Sequence, residues 1–256
     1  MRGVPVLLAL SVGGPGLHSL ADAGEIVAAA EEAGVAAIRL ADRSPNGTAL
    51  DPAVVAAYLA GRHAGIGYLP VLPTTGNPPL TAARRTLSLD TATGGRSGAV
   101  LRPGDSVPRW IEYARVLTRL WESFPGDDRP DGPVLVADLG VLGVATVAPL
   151  ADIVVVDLGQ AGGADADLSQ ALRLAGRERG EVALLGRVTV AKGEVVPGFA
   201  TRLRSWVDEH LLDGVELVAE GGVDDVVKVL RALTPRPVGR TLREAFELRP
   251  AVALAG

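Results

Sequence analysis

The chain has 256 residues, 48% of them hydrophobic and 21% charged, with a formal charge of -5 at pH 7. That length suits one domain with a large core, the composition argues against disorder, and the acidic balance leaves no electrostatic footprint for DNA or RNA. The absence of cysteine excludes disulfides, thiolate metal sites and cysteine nucleophiles, and with 4% aromatic residues there are few rings to stack nucleobases.

Apolar, β-branched runs of strand length alternate from end to end with windows of helical periodicity. Residues 4–10 make the first run. A capped helix start follows it where a secretory leader would carry a cleavage site, so it reads as a strand. Ser19 caps that helix with Asp22 three residues on, Ala23, Ile26, Val27 and Ala30 form its buried stripe, and Gly34 stops it. The second strand is 37–41, and Asp51-Pro52 supplies an N-cap followed by proline at the first helical position. The third strand is 66–72 and its helix 80–91. A weak fourth strand at 98–101 precedes a clear amphipathic helix at 107–121, in which Glu112 lies three residues from Arg115.

The fifth strand is 133–137, followed by one short helical segment at 143–150. The sixth strand, 153–156, is the most hydrophobic, and its helix is 168–175. The seventh unit is 182–185 with 199–211, and the eighth is 215–218 with 223–233, where Asp224 and Lys228 pair one turn apart. Eight alternating units predict an α/β fold closed into a (β/α)8 TIM barrel with short βα loops, one domain over 1–256 with 236–256 as a C-terminal tail. An open doubly wound sheet is the alternative, but it would leave two edges to protect, and no dinucleotide fingerprint follows the first strand. No run approaches the roughly 20 apolar residues of a membrane span, which predicts a cytoplasmic protein without a membrane partner.

In such a barrel the site lies at the C-terminal strand ends. That rule selects Ser11 and His18, Asp42 and Arg43, Thr74 and Thr75, Arg102, Asp138, Asp157 and Gln160, Arg187, and Glu220. His18 is the candidate for catalysis, as a histidine in the first loop able to donate to a bound ring. Arg102 and Arg187 suit a phosphate, and the loop from Asp138 through Gly140 to Gly143 offers backbone N–H groups to an anion. Each of these residues also has a plain structural role open to it, capping a helix or tying down a loop. Carboxylates for glycosidic chemistry are available in Asp42, Asp138, Asp157 and Glu220, but their separation cannot be read from the sequence. Scattered histidines without an HExxH spacing give no metal site, and no GxSxG elbow marks a serine hydrolase.

Several segments in order resemble the luciferase-like flavin monooxygenases, in particular the nitrilotriacetate monooxygenase branch. They are LHSL running into AEEAGVAAIRLADR, then IGYLPVLPTTGNPPLTAARRTLSLDTATGGRSG, YARVLTRLWESFPGD, GVLGVATVAPLADIVVVD, DGVELVAEGGVDDVVKVLRALTP and GRTLREAFELRP. The resemblance implies a TIM barrel, reduced FMN delivered by a separate flavin reductase, and insertion of one atom of O2 into a small organic substrate. It places Thr74 where the third strand approaches the flavin and His18 in the substrate-side loop; joined with the strand-end and anion-loop residues read above, the expected cofactor-binding set is Ser11, Thr74, Arg102, Asp138, Gly140 and Gly143.

The sequence departs from that pattern in three ways. The fourth strand ends Val100-Leu101-Arg102 where a Val-Thr-Ser type ending is expected, Leu139 stands near the place of a phosphate-contacting serine, and the long insertions that would cover the site are missing. Two alternatives follow. One is a non-catalytic barrel acting as companion to a homologous subunit or as a small-molecule binder, and the other is an oxidoreductase using the deazaflavin F420. A homodimer is the expected assembly.

Overall fold

A computed structural model describes residues 3–12, 19–42, 50–104, 106–124, 132–194 and 197–249, Asp42 for its backbone alone. Eight parallel strands close into a barrel in chain order: β1 Val6–Val12, β2 Ala37–Asp42, β3 Gly67–Pro73, β4 Gly98–Arg102, β5 Val134–Asp138, β6 Ile153–Asp157, β7 Ala183–Val190 and β8 Gly214–Ala219. Pairing of β1 with both β2 and β8 seals the cylinder and removes the sheet edges. The closed barrel is therefore the correct alternative and the open sheet is not.

The helices lie outside: α1 Leu20–Glu32, α2 Pro52–Ala60, α3 Pro79–Thr93, α4 Val107–Ser123, α5 Leu139–Leu142, α6 Val144–Val147, α7 Ala164–Leu174, α8 Phe199–His210 and α9 Val223–Arg231, with α10 Leu242–Ala245 near the end. The capping chemistry expected from the sequence holds locally. Ser19 Oγ accepts from the Asp22 N–H at 3.1 Å while Asp22 accepts from the Ser19 N–H at 2.9 Å, and Asp51 accepts from the N–H groups of Ala53 and Val54. Two expected helical charge pairs, Glu112 with Arg115 and Asp224 with Lys228, do not form among the ion pairs of the described residues.

Two elements differ from the sequence expectation. The helical segment after β5 starts at once and splits in two, because Gly143 adopts φ 77 and ψ 151 between α5 and α6, a conformation that breaks the helical ladder. β7 runs on to Val190, since Arg187, Val188 and Thr189 pair with β8; glycine and arginine within that run had hidden its strand pattern.

Alternation along the strands sorts the core. Leu8, Leu10, Ile38, Leu40, Val215 and Leu217 pack outward with buried faces of α1, α2, α8 and α9. Leu101, Leu135, Val154 and Leu184 do the same with α4, α6 and α7, and the fully buried Trp110 donates from Nε1 to the Leu101 carbonyl at 3.1 Å. The inward set, including Leu7, Leu69, Val71, Val100, Val136, Val155 and Leu185, fills the barrel.

The segment read as a tail takes part in this packing. Leu242, Ala245 and Phe246 join the inward cluster, so α10 closes the N-terminal end of the barrel. Burying side chains such as Leu242 and Phe246 contributes roughly 1.5–3 kcal/mol each. The segment is also tied by Leu242 N–H to the Gly95 carbonyl, by Arg249 N–H to the Gly180 carbonyl, and by Arg243 Nη2 to Asp152 Oδ1 at 3.1 Å. Gly67 is required here, because a Cβ at that position would run into the Leu242 side chain. With the lower end sealed, the opposite end remains as the mouth.

Candidate active site at the barrel mouth

Above the apolar filling, the barrel interior turns ionic. Arg39 from β2 and Arg187 from β7 alternate with Asp138 from β5 and Glu216 from β8 in a closed ring. Arg39 forks onto Asp138, with Nη2 to Oδ2 at 2.8 Å and Nη1 to Oδ1 at 3.1 Å, and its Nη1 also donates to Glu216 Oε1 at 2.9 Å. Arg187 completes the ring by donating from Nε to Glu216 Oε2 and from Nη2 to Asp138 Oδ1. Each carboxylate thus bridges both guanidiniums, and the four formal charges cancel.

Burial deepens across the ring. Glu216 has no exposed side chain, Arg39 and Asp138 keep 14% each, and Arg187 keeps 24%. Burial by itself would raise the Asp138 pKa, but the hydrogen bonds and positive charge of Arg39, and then of Arg187, reverse it and hold the carboxyl below its ordinary value. Burial likewise works against charge on Arg39 and Arg187, and the two carboxylates outweigh it, so both remain guanidinium ions. Arg187 also turns Nη1 toward Asp157 Oδ1 at 3.5 Å, a long contact to a carboxylate that is 58% exposed. Arg187 is thus the more exposed guanidinium of the ring, and with Asp157 the cluster sets three carboxylates against two arginines.

The other nominated residues fall in different places. Ser11 lies near the end of β1 on the inward register with Leu7, paired to Ala41 of β2. Arg102 ends β4, exposed, beside Pro73 of β3. Thr74 is buried, and its Oγ1 donates to the Arg102 carbonyl at 3.3 Å, so its hydroxyl straps two strand ends together. The expected anion loop is a turn of helix: Gly140 lies exposed within α5, and the Gly143 N–H is already given to the Leu139 carbonyl at 2.8 Å. Asp138 is committed to both arginines. His18, Arg43 and the Asp42 side chain lie outside the described residues. The other histidines sit away from the mouth, His63 with Nδ1 3.0 Å from Glu31 Oε2 and His210 at the end of α8.

Sequence reasoning did not single out Arg39 or Glu216. Each stands inside an apolar run, in AIRLAD and GVELVA, and a charge at the inward phase of a barrel strand was the available signal. What the sequence lacked was the partner, since Arg39 and Glu216 are 177 residues apart.

The mouth and its strand order define a (β/α)8 barrel with a charge-lined, polar C-terminal end. No protein-family model matches the sequence and no curated protein is similar enough to match. Solved structures share the fold over almost the whole chain. The EDTA monooxygenase EmoA from Chelativorans sp. BNC1 is 18% identical with a TM-score of 0.77, covering 97% of this chain and 99% of its own. The long-chain alkane monooxygenase LadA is 12% identical, also with a TM-score of 0.77, over 96% of both chains. A coenzyme F420 dependent tetrahydromethanopterin reductase from Methanopyrus kandleri is 14% identical with a TM-score of 0.69, over 90% of this chain and 97% of its own. At these identities the likeness is one of fold. Among the described residues, no helix is long and apolar enough to cross a membrane.

Proposed function

We propose that the chain is a luciferase-like oxidoreductase that binds a reduced flavin-type cofactor, FMN in the first instance, over the barrel mouth and acts on a small organic substrate. The observation that carries this reading is Arg187, a guanidinium held in place by Asp138 and Glu216 at the mouth of a barrel matched along its length by the fold of an EDTA monooxygenase. A reduced isoalloxazine or deazaflavin ring carries anionic character, and a guanidinium N–H fixed beside such a ring tunes its electronics by hydrogen bonding without reorganisation. Ser11 and Arg102 stand at the same rim and are the polar residues that would hold the cofactor. The cofactor, when bound, supplies the electron pair. The chain's own contribution is to orient it, to hold a hydrogen-bond donor against it and to exclude water.

Exclusion of water needs cover. β4 ends at Arg102 and α4 begins at Val107, while β5 runs directly into α5, so these connections add little over the mouth. A homodimer supplies the remainder in this reading. It would form over α2, which has no charged residue and exposes Val54 at 62% and Tyr58 at 38%, next to an apolar groove of about 640 Å³ between α2 and α3. A separate reductase would deliver the reduced cofactor.

The commitment of Thr74, Asp138 and the Gly143 N–H to internal bonds favours a second reading, a companion barrel that binds no flavin. Fluorescence titration with oxidised FMN, reduced FMN and F420 under anaerobic conditions separates the readings. The first expects reduced FMN to bind more tightly than oxidised FMN. Tighter binding of F420 would move the assignment to a deazaflavin reductase, and no binding of any of them at roughly 100 μM would refute flavin chemistry and leave the companion role.

A further inference from the structure

Hydrogen bonding in the ionic ring is complete at its base and incomplete at its upper edge. Every carboxylate oxygen of Asp138 and Glu216 accepts from a guanidinium. Arg187 gives its Nε–H to Glu216 and one N–H of Nη2 to Asp138. Its Nη1 reaches Asp157 Oδ1 only at 3.5 Å, the outer limit of a hydrogen bond. The remaining donors of this guanidinium have no acceptor of good geometry among the described residues.

Asp157 is its neighbour in the sheet, paired directly with Arg187 in the register of β6 and β7. It follows Ile153 and Val155 at the inward phase of β6, and its carboxylate is 58% exposed. It precedes the turn at 158–160 without capping it, so the long contact to Arg187 is its one side-chain bond among the described residues. A fixed donor and an open acceptor therefore stand side by side at the mouth.

There is room above them. The inward positions one pleat nearer the mouth on the neighbouring strands are small: Ser11 of β1, Ala41 of β2, Thr189 of β7 and Val218 of β8. Thr189 is exposed, and the other three, with Ala9 beneath them, are only partly buried. Among the described residues, no strand side chain fills the bowl on this side of the ring.

The chemistry of the pair restricts what sits there. With three carboxylates against two arginines the cluster is net negative, which disfavours an anion on Arg187. A cation would satisfy Asp157 and be repelled by the guanidinium beside it. A hydroxyl bridges the two through one oxygen, but water does the same in the free protein, so an alcohol gains little by replacing it. A neutral edge with a carbonyl oxygen next to an N–H answers both groups, each through a charge-assisted bond. An open-chain amide holds its carbonyl and N–H on opposite sides, so the edge must belong to a ring that forces them cis.

We propose that Arg187 and Asp157 are a recognition pair for the cis-amide edge of a small heterocycle, Arg187 donating to its carbonyl and Asp157 accepting from its N–H. The pyrimidine portion of an isoalloxazine carries such an edge, and so does a lactam or cyclic-imide substrate, so this chemistry has two sources. The inference rests on the reading of the mouth as a ligand site given above and names what that site recognises; the experiment separates the two.

The test is isothermal titration of the intact chain with uracil and with 1,3-dimethyluracil, which keeps both carbonyls and lacks both N–H groups. Uracil is expected to bind saturably in the millimolar range and the dimethyl compound about tenfold more weakly, as for loss of a hydrogen bond to a charged group. Asp157→Ala should abolish that preference while shifting the melting temperature by less than about 2 °C, because the side chain is exposed. Asp157→Asn keeps an acceptor oxygen and should give an intermediate preference. A merely structural Asp157 would lower the melting temperature in both variants and leave the preference intact.

FMN and its N3-methyl derivative distinguish the sources. Tenfold weaker binding of the methylated form to the parent chain, lost in Asp157→Ala and with uracil displaced by FMN, assigns the pair to the cofactor. Equal binding of the two flavins, with uracil still binding to the FMN-loaded protein, assigns it to the substrate. If FMN does not bind but uracil shows its N–H preference, the flavin reading falls and the recognition pair stands. If FMN binds and neither probe responds to loss of its N–H, the pair falls and the flavin reading stands. The proposal is also overturned if the preference survives in Asp157→Ala, or if uracil at roughly 20 mM and FMN both fail to bind.

Discussion

Replacing Glu216 by glutamine tests the ionic ring at its deepest point. The side chain has no solvent exposure and receives Arg39 Nη1 at 2.9 Å on one oxygen and Arg187 Nε on the other. Glutamine keeps the shape but removes the charge, and its amide NH2 must point at one of the guanidiniums, donor against donor. The barrel interior would be left with two arginines sharing Asp138 alone, an uncompensated positive charge. Breaking a buried pair by removal of one partner costs about 3–5 kcal/mol. The two contacts share one carboxylate, so the cost is not the sum of two such losses. In a chain of this size that lowers the melting temperature by roughly 10 °C.

Urea unfolding at pH 7 with circular dichroism measures the loss directly, provided the slope of the transition is unchanged. A double variant with Arg187→Met should fall short of additivity by about 1 kcal/mol or more, because removing both partners cancels most of the stranded charge. A loss below about 1 kcal/mol for Glu216→Gln would refute the reasoning. It would mean that the ring is hydrated and that its charges are not held against one another.

Three further outcomes follow from the same contacts. Because the folded pKa of Asp138 is depressed, its contribution to stability is present above the ordinary carboxylate value near about 4 and is lost as pH falls through the lower folded value; urea midpoints from pH 7 to pH 3 should fall more steeply in the parent chain than in Asp138→Asn, which starts lower. Gly67→Ala should destabilise by about 1–3 kcal/mol through collision with Leu242, and the companion change Leu242→Ala should recover none of the α10 packing while relieving the clash, so the pair is non-additive by the same denaturation assay. Val54→Glu should convert a dimer into monomer in light scattering without loss of helix content, and an unchanged mass would remove α2 from the interface.

Much of the fold was legible in the sequence. The eight alternations of β-branched and helical periodicity, the Ser19–Asp22 capping box and the Asp51-Pro52 start are local patterns, fixed by side-chain phase and by hydrogen bonds spanning a few residues. Asp138 and Asp157 do end their strands as the strand-end rule expects, whereas Arg187, expected just past the seventh strand, lies inside β7.

What the sequence could not supply was partnership across the barrel. Arg39 and Glu216 read as isolated charges in apolar runs, and only closure of β1 onto β8 brings them together with Asp138 and Arg187. Closure likewise turned the expected tail into the barrel's lower seal, and the pairing of β3 with β4 gave the Thr74 hydroxyl to the Arg102 carbonyl. Periodicity is a property of each strand, so the sequence determined the elements and their order. Neutralisation of buried charge is a property of strands meeting around a closed sheet, and the tertiary structure alone decided it.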